Sequence, residues 1–373
     1  MANIIVAPGK YIQGKGEIKN LGKHLSALGK HAMMITSRNG KARIEKAMAG
    51  AKAEGFTYIF EPFGGECSMP EIERLMGVFR ENGCDLVVGA GGGKVLDTAK
   101  AAACLMKVPV VIVPTAVSSD APCSALAVIY HEDGSLDHRF PLPKSPDVVL
   151  VDSAIIAECP VKLAVVGMGD ALSTYFESRA CATSGSLNIH GGHISLLGYQ
   201  IAKLCFEILM RDGRKAKQAL KEHVCTQAVE NIIEANTLLS GIGFESGGKG
   251  AAHAINDGFA ALRACHQVMH GEKVAFGTLV QLIMENANEE ELTQVYGFCA
   301  DVGLPVTLGE LGIVEHVEEN VREAARVATL PGESIFNMPM EVTEEKVYDA
   351  ILGADIWGRR FLAGRKGGGS PGP

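Results

Sequence analysis

Short apolar runs alternate with helix-like stretches along the chain to about residue 150. Runs of strand type occupy 31–36, 57–60, 84–89, 108–113 and 147–152, and helical spacing occurs at 41–54 and 70–81. Ser68 and Glu71, on either side of Pro70, indicate a capped start for the second of these helices. Strands that are apolar throughout are typical of a parallel sheet covered on both faces. The pattern therefore predicts a doubly wound α/β domain.

The character of the chain changes after residue 160, where strand-like runs disappear. Apolar residues then follow helical spacing at 161–183, 194–211, 214–240, 272–287 and 345–363. Glycine-rich breaks at 191–192 and 246–250 are typical of helix ends. The pattern predicts an α/β domain over 1–160, an all-helical domain over 161–366 and a flexible tail over 367–373.

Composition and charge narrow the class of protein. The chain has 373 residues, of which 47% are hydrophobic and 21% charged, which excludes a disordered protein. A net charge of −8 without a basic run disfavours nucleic-acid binding. The start of the chain does not resemble a secretion signal, and no apolar run reaches the roughly 18 residues of a membrane-spanning helix. We expect a soluble cytoplasmic protein that has no membrane or nucleic-acid partner.

The ten cysteines do not indicate disulfide or metal chemistry. They are spread from Cys67 to Cys299 and contain no C-x-x-C pair. Because cysteine is often buried and cytosolic thiols stay reduced, we expect core residues.

The segment 86–100, LVVGAGGGKVLDTAK, joins an apolar strand to a helix through glycines. Glycines let backbone N–H groups approach a ligand closely, and the N-terminus of the following helix favours negative charge. Gly91, Gly92 and Gly93 are therefore candidates for binding a pyrophosphate. The spacing matches neither G-x-G-x-x-G nor a Walker loop, and the same arrangement can serve packing alone.

A second loop, 114–126, follows the next strand-like run. It gathers hydroxyl groups and one carboxylate where an open parallel sheet forms its binding crevice. Thr115, Ser118 and Ser124 could hydrogen-bond a cofactor, and Asp120 could orient a polyhydroxy substrate. Ordinary turn chemistry accounts for the same residue types, so both interpretations stay open.

The helical half contains three candidate metal ligands. Asp170 is a lone carboxylate in an apolar stretch, and a buried carboxylate needs a partner or a cation. With His253 and His270 it would offer one oxygen and two nitrogens, leaving coordination positions open to substrate. The spacing of the three is not diagnostic, because a lone histidine is more often a core or surface residue.

Three other histidines compete for this role. His190 and His193 have metal-like spacing, but they lie in a glycine-rich break without an obvious third ligand. His266 lies one helical turn before His270 and could bind substrate or cap a loop.

Seven segments together resemble the iron-containing (group III) alcohol dehydrogenases, and among these the glycerol dehydrogenases. The segments are 7–14, 62–67, 91–100, 119–125, 169–171, 243–248 and 270–277. The resemblance runs from about residue 4 to residue 363. It implies a Rossmann-like N-terminal domain and a helical C-terminal domain, the fold shared with dehydroquinate synthase. It also implies an active site in the cleft between the domains and a large homo-oligomer, often an octamer.

The resemblance also implies roles for individual residues. Asp170, His253 and His270 match the family's metal ligands, usually to zinc in glycerol dehydrogenases, and the same donors suit ferrous iron. Asp120 matches the aspartate that contacts substrate. The cofactor-binding positions are matched by Gly93, Lys94, Thr115, Ser118, Ser124, Leu126 and Tyr130.

One position departs from the family pattern. Where these enzymes carry an aspartate at the end of the first strand of the nucleotide domain, this chain has Ser37, followed by Arg38. An acid there bonds the adenosine ribose, whereas an arginine nearby can accept a 2′-phosphate. We therefore expect appreciable NADP use beside NAD.

The predicted activity is the reversible oxidation of a vicinal diol such as glycerol to a hydroxyketone such as dihydroxyacetone. A metal would act as Lewis acid, hydride would pass to the nicotinamide, and the proton would leave through water or His266. A lyase of the dehydroquinate synthase type is the alternative, but it requires a basic cluster. Only Lys249, Arg263 and Lys273 are near the proposed ligands, which also disfavours a glycerol-1-phosphate dehydrogenase. A metal-dependent hydrolase would leave the glycine-rich loop unexplained.

Overall fold

The computed structural model describes residues 2–51 and 55–367, which divide into two compact units. The sheet unit comprises residues 6–164 and 218–242. The helical unit comprises 165–217 and the chain from Gly243 onward, together with the residues before Val6. The predicted division at residue 160 into separate functional domains stays a prediction.

The sheet unit is built on six parallel strands. They are β1 (Tyr11–Gly14), β2 (His31–Thr36), β3 (Thr57–Pro62), β4 (Leu86–Gly91), β5 (Val110–Pro114) and β8 (Val148–Asp152), and an antiparallel pair is formed by β6 (Leu126–Tyr130) and β7 (Leu136–Pro141). The order in the sheet is β1-β8-β5-β4-β2-β3. The helices that precede residue 160 are α1 (Leu21–Leu25), α2 (Gly40–Ala47), α3 (Met69–Glu81), α4 (Gly93–Met106) and α5 (Ser153–Ala157).

The predicted α/β class is confirmed. The central strands are completely buried, which explains why they appear in the sequence as continuous apolar runs. Every residue of β4, β5 and β8 is buried, as expected for central strands covered on both faces. Met34, Val88, Val111 and Leu150 from four neighbouring strands pack into one core cluster. Helix α3 begins as predicted, since the Ser68 hydroxyl accepts a bond from the N–H of Glu71.

Strands β1, β6 and β7 were not predicted. β1 and β7 contain polar residues, whereas β6 is apolar throughout and was overlooked at the end of the predicted loop 114–126. β1 lies at the edge of the sheet, pairs only with β8 among the described strands, and is half-buried throughout. β7 is almost wholly exposed and β6 alternates between buried and half-buried residues. Edge strands and hairpins of this kind are fixed by pairing rather than by apolar content.

After residue 160 the described regular elements are helices. They are α6 (Val161–Ser184), α7 (Leu196–Lys221), α8 (Gln227–Glu234), α9 (Ser240–Gly247), α10 (Ala251–Ala260), α11 (His270–Met284), α12 (Glu289–Val302), α13 (Val317–Ala328) and α14 (Glu344–Gly367), with short 3₁₀ segments between some of them. A π-helical turn, Ala235–Leu239, joins α8 to α9. The predicted break at 246–250 contains the end of α9, whereas 191–192 lies within the loop between α6 and α7; Gly248 and Gly191 have φ values of 86° and 76°.

The predicted helix end near residue 212 is wrong. α7 continues through Gly213 to Lys221, and the next helix starts at Gln227. Gly213 marks a close approach instead of an end, because a Cβ there would lie 2.7 Å from the ring of Phe298. A glycine inside a helical pattern can thus serve packing between helices.

Two of the predicted segments extend beyond the residues that the structure describes. Residues 52–54 of the predicted helix 41–54 and residues 368–373 of the predicted tail lie outside the described residues, and α14 extends to Gly367. All ten cysteines lie in the described chain, none of them forms a disulfide, and all but Cys104 and Cys225 are buried. None of the helices in the described chain combines the length and the apolarity needed to cross a lipid bilayer.

Candidate functional site

Three side chains from three helices of the helical unit converge on one point. Asp170 lies in the middle of α6, His253 near the start of α10, and His270 is the first residue of α11. Their donor atoms all lie within 4.8 Å of one another. The Oδ1 atom of Asp170 is 3.2 Å from Nε2 of His270 and 3.8 Å from Nε2 of His253.

These separations fit the ligand sphere of a small divalent cation. Ligand atoms bound tetrahedrally at about 2.0–2.1 Å from Zn²⁺ lie about 3.4 Å apart, between the two separations above. Among residues 2–51 and 55–367, no other set of three His, Cys, Asp or Glu side chains meets the same distance criterion. One carboxylate oxygen with two imidazole nitrogens suits zinc or ferrous iron and leaves coordination positions for a substrate.

Two glycines let α6 and α11 approach closely enough to bring Asp170 to His270. Gly169 precedes the aspartate, and a Cβ there would lie 2.3 Å from the carbonyl oxygen of Gly271. A Cβ at Gly271 would lie 2.0 Å from the carbonyl oxygen of Val166. Any larger residue would therefore push the two helices apart, and with them the two ligand side chains.

A third close contact sets the position of α10. A Cβ at Gly277 of α11 would lie 2.4 Å from the carbonyl oxygen of Ala252, the residue before His253. The Phe244 ring packs against the His253 imidazole, with centroids 5.6 Å apart. The position of His253 is therefore fixed by the close contact between α10 and α11 and by packing against the Phe244 ring.

The three groups differ sharply in their access to solvent. The Asp170 side chain is 2% exposed and that of His270 is 48% exposed, while His253 is buried. A carboxylate at this depth is costly unless positive charge compensates it. A cation bound by Asp170 and the two histidines would supply that charge, and the exposed side of His270 leaves the candidate site accessible to solvent.

Glu177, which the sequence analysis missed, lies behind His253. Its Oε2 atom is 2.6 Å from Nδ1 of His253, and the side chain is 1% exposed. Burial alone would raise the pKa of Glu177, but attraction to the His253 imidazole when it is protonated and hydrogen bonds from His253 outweigh burial, so the pKa lies below its ordinary value. A signal existed in the sequence, because Asp170 and Glu177 are seven residues apart and such residues share one face of a helix.

The glycine-rich loop of the sheet unit has the predicted strand–turn–helix form. β4 ends at Gly91, Gly92 is extended, and α4 begins at Gly93. A Cβ at Gly92 or Gly93 would meet nothing within 4 Å, and no side chain caps the start of α4. The helix N-terminus is thus open for close approach of an anionic group.

The neighbouring strands bring two more predicted cofactor residues to the same edge. Thr36 and Ala90 are partners in the parallel pairing of β2 and β4, so Ser37 and Gly91 follow at adjacent positions. The N–H of Thr115, after β5, donates to the carbonyl of Gly91 over 2.9 Å. In open parallel sheets this carboxyl edge is the usual place for a dinucleotide.

Lys94 and Tyr130 lie together, with a partner that the sequence analysis did not consider. The Lys94 ammonium is 2.5 Å from a carboxylate oxygen of Glu66 and 5.1 Å from the centre of the Tyr130 ring. Burial raises the pKa of Tyr130 to about 12. The lysine charge is therefore largely balanced by Glu66.

A buried lysine organises the loop at 114–126. The Lys100 side chain is fully buried, and its ammonium lies 2.9 Å from the Asp97 carboxylate. It donates to the carbonyl of Ala121 over 2.9 Å and to the Ser124 hydroxyl over 3.1 Å, and it also contacts the carbonyl of Leu126. Ser124 is thus engaged with the protein, whereas Ser118 and Asp120 are partly exposed.

The other predicted histidines lie apart from this group of ligands. His266 is exposed at the end of a 3₁₀ turn, and its ring has no hydrogen bond to any described residue. His190 lies 3.6 Å from the buried carboxylate of Glu245, and His193 forms a backbone bridge with Asn3. Neither spacing motif produces a three-ligand group in the described chain.

Comparison with known proteins gives the class of protein to which this fold and these residues belong. The family model for iron-containing alcohol dehydrogenases matches residues 8–153. A glycerol dehydrogenase of Escherichia coli is 47% identical over 366 residues, covering 97% of this chain and 99% of that protein. The chain belongs to the iron-containing alcohol dehydrogenase family.

Within that family the similarity is to glycerol dehydrogenases. The crystal structure of a probable glycerol dehydrogenase from Sinorhizobium meliloti is 45% identical, with a TM-score of 0.90 over 96% of this chain and 99% of that one. The glycerol dehydrogenase of Schizosaccharomyces pombe is 35% identical, with a TM-score of 0.93 over 99% of this chain and 94% of that one. These values confirm both the predicted resemblance and the predicted fold.

Proposed function

We propose that the protein catalyses the reversible, metal-dependent oxidation of glycerol, or of a related vicinal diol, to the corresponding hydroxyketone. The observation that carries this proposal is the convergence of Asp170, His253 and His270 in a chain so similar to glycerol dehydrogenases. The same similarity favours a dehydrogenase over a lyase of the dehydroquinate synthase type. A lyase of that type would need a cluster of basic side chains to bind its substrate. Of the candidates, Lys249 packs over the Phe244 ring and Lys273 is buried, which favours the dehydrogenase.

In this proposal the three converging side chains hold a divalent cation, zinc or ferrous iron. A cation bound there supplies Lewis acidity, which lowers the pKa of an alcohol and favours loss of its proton. Asp170 and His253 contribute fixed, buried donors, whereas the exposed flank of His270 leaves room for a diol. Asp120 orients a substrate hydroxyl, and the proton leaves through water or His266.

The carboxyl edge of the sheet unit holds the nicotinamide dinucleotide in this proposal. Gly92, Gly93 and the N-terminus of α4 bind the pyrophosphate through backbone N–H groups. A bound nicotinamide supplies the hydride acceptor. Thr115 and Ser118, in the loop after β5, offer hydroxyl groups to the cofactor. The remaining proposed cofactor-binding residues are Lys94, Ser124, Leu126 and Tyr130.

We further propose that the enzyme accepts NADP beside NAD. Ser37, directly after β2, takes the place of the aspartate of the family pattern, and its hydroxyl accepts a bond from the N–H of Gly40 over 3.1 Å. Arg38 is exposed and forms no ion pair with the described residues. A guanidinium at this position can accept a 2′-phosphate, which an aspartate would repel. The resemblance additionally supports a homo-oligomer, whose size solution scattering would give.

One experiment tests the activity. Protein purified without chelator is analysed for bound metal and then mixed with glycerol and either nicotinamide, while absorbance of the reduced nicotinamide is followed. We expect about one equivalent of zinc or iron per chain and reduction that stops after chelation. Reduction that persists in fully metal-free protein would contradict the proposal. An absence of reduction with every diol of a panel, from metal-loaded protein, would contradict it too.

A further inference from the structure

We propose that Glu177 is a positioning residue that fixes the His253 imidazole in the tautomer whose Nε2 lone pair faces the metal. This inference rests on the proposed metal-dependent function. The three converging side chains define where the cation would lie, whereas Glu177 lies on the opposite side of the imidazole and cannot be a ligand in this arrangement. Its role would be exerted entirely through His253.

The contact between Glu177 and His253 determines where the ring proton lies. A buried carboxylate can only accept hydrogen bonds, so the 2.6 Å contact between Oε2 and Nδ1 requires a proton on Nδ1. In a neutral imidazole Nε2 is then left with its lone pair. That atom faces Asp170, whose Oδ1 is 3.8 Å away.

The carboxylate is itself held from the other side. Its Oε1 atom accepts the backbone N–H of Gly250 over 2.9 Å and that of His253 over 3.0 Å. These groups lie at the N-terminus of α10, where partial positive charge favours an anion. Glu177 therefore cannot rotate away from the imidazole without leaving two buried N–H groups unpaired.

His270 offers the contrast within the same site. Its Nε2 contacts Asp170, but its Nδ1 has no hydrogen bond to any of the residues that the structure describes. Its side chain is also half-exposed, so it can select its tautomer through water. The site thus has one ligand orientation that is fixed before the metal arrives and one that is not.

The substitution Glu177→Gln tests whether the carboxylate determines which ring nitrogen of His253 carries the proton. The two backbone N–H groups still require an acceptor, so the amide oxygen replaces Oε1 and the amide nitrogen faces Nδ1. An N–H donor at that place forces Nδ1 to accept and moves the ring proton to Nε2, where it blocks the metal. The variant preserves size and the helix cap while inverting the tautomer.

Gln281 provides a matched control, because it caps the same helix without reaching the imidazole. Its Oε1 atom accepts the N–H of Ala251 over 3.1 Å and that of Ala252 over 3.2 Å. Gln281→Met removes these acceptors at nearly constant volume. If a disturbed start of α10 were enough to weaken metal binding, Gln281→Met would weaken it as well.

The experiment measures the affinity of metal-free protein for Zn²⁺ by competition with a chromogenic chelator. We expect Glu177→Gln to bind Zn²⁺ about 10–100-fold more weakly than the unmodified protein, whereas Gln281→Met lowers the melting temperature and leaves the affinity unchanged. Glu177→Asp, which keeps the acceptor, should recover part of the loss. Equal affinities of the unmodified and Glu177→Gln proteins would overturn the positioning role, as would an equal loss in Gln281→Met.

A second measurement covers the case in which Glu177→Gln does not fold. NMR of the unmodified metal-free protein with ¹⁵N in the histidine rings should show His253 with its proton on Nδ1. A proton on Nε2 alone would overturn the proposal even if metal binds well. Failure of the unmodified protein to bind Zn²⁺ or Fe²⁺ would instead defeat the proposed function, and the present inference with it.

Discussion

The candidate metal site of the helical unit and the candidate dinucleotide edge of the sheet unit are built from different materials. The first consists of charged side chains from three helices, separated by 83 and 17 positions in the chain (253 − 170 and 270 − 253). The second consists of backbone groups and hydroxyls that directly follow β2, β4 and β5. The candidate metal site has three strong ligands, whereas the candidate dinucleotide site has many groups that each contribute a weaker hydrogen bond.

This difference should determine how each site responds to substitution. A cation bound by three donors loses a large share of its binding when one donor is removed. A pyrophosphate held by several N–H groups at a helix N-terminus loses only one contribution among many. We therefore expect all-or-none effects in the helical unit and graded effects in the sheet unit.

The largest effect is expected from His270→Ala. This change leaves only Asp170 and His253, so the variant should lose its metal on dialysis. Its kcat/KM for glycerol should fall at least about a thousandfold, or ~4 kcal/mol of transition-state stabilisation. Metal analysis after dialysis and initial rates check both results.

His266→Ala is the matched control for this prediction, because that histidine is exposed and makes no ring hydrogen bond to a described residue. We expect His266→Ala to retain its metal on dialysis, so metal retention is the measurement that separates the two variants. Full activity and stoichiometric metal in His270→Ala would contradict the assignment of the site.

A smaller but still large effect is expected from Gly271→Ala. The added methyl group would lie 2.0 Å from the carbonyl oxygen of Val166. Separating α6 from α11 should lower the free energy of unfolding by about 1–3 kcal/mol, as overpacked cores do. It should also weaken metal binding, because Asp170 and His270 move apart with their helices.

Urea denaturation of the metal-free protein measures this destabilisation, and Gly364→Ala is its control. A Cβ at Gly364 would meet nothing within 4 Å, and alanine is the better helix former. We expect Gly364→Ala to stabilise the protein slightly. If Gly271→Ala were as stable as Gly364→Ala, the close helix contact would not be what positions the ligands.

The same contrast explains what the sequence could predict. The strand at 31–36 and the loop at 91–93 were readable, because their signals are local: an apolar run, or adjacent glycines before a helix. The convergence of Asp170 with His253 and His270 is not local. It depends on glycines that meet across helices, and spacing alone could not reveal those contacts. The residue types made the three side chains candidate ligands, and the family resemblance implied that they form one set.

Residues that support the site were the hardest to foresee. Glu177 and Lys100 are charged residues in helical patterns, where a charge usually indicates a solvated face. Both are buried because acceptors or donors from distant segments surround them. Gly213 was misread for a related reason, since its partner Phe298 lies far away in sequence.

At the dinucleotide edge we expect a graded effect from Gly93→Ala. The methyl group meets no protein atom within 4 Å, so stability should not fall. It would occupy space that the pyrophosphate needs, and the dissociation constant for NAD should rise about tenfold, or ~1.4 kcal/mol. Titration of NAD followed by fluorescence, with thermal unfolding in parallel, checks the result.

Gly91→Ala separates packing from binding at the same edge. Its methyl group would lie 2.7 Å from the Val95 side chain, so this variant should lose stability as well as affinity. An unchanged NAD affinity in Gly93→Ala would show that the pyrophosphate does not bind at this helix N-terminus.

The smallest effect is expected from Arg38→Ala, because an exposed guanidinium contributes little when solvent screens it. We expect kcat/KM for NADP to fall about three- to tenfold while the value for NAD stays unchanged. Arg80→Ala, which removes an exposed arginine from α3, should affect neither cofactor. Ser37→Asp should act more strongly, since a carboxylate at the end of β2 repels the 2′-phosphate and bonds the ribose of NAD. The prediction fails if the unmodified enzyme already uses NADP more than about a thousandfold less efficiently than NAD, a difference of ~4 kcal/mol that no surface arginine would offset.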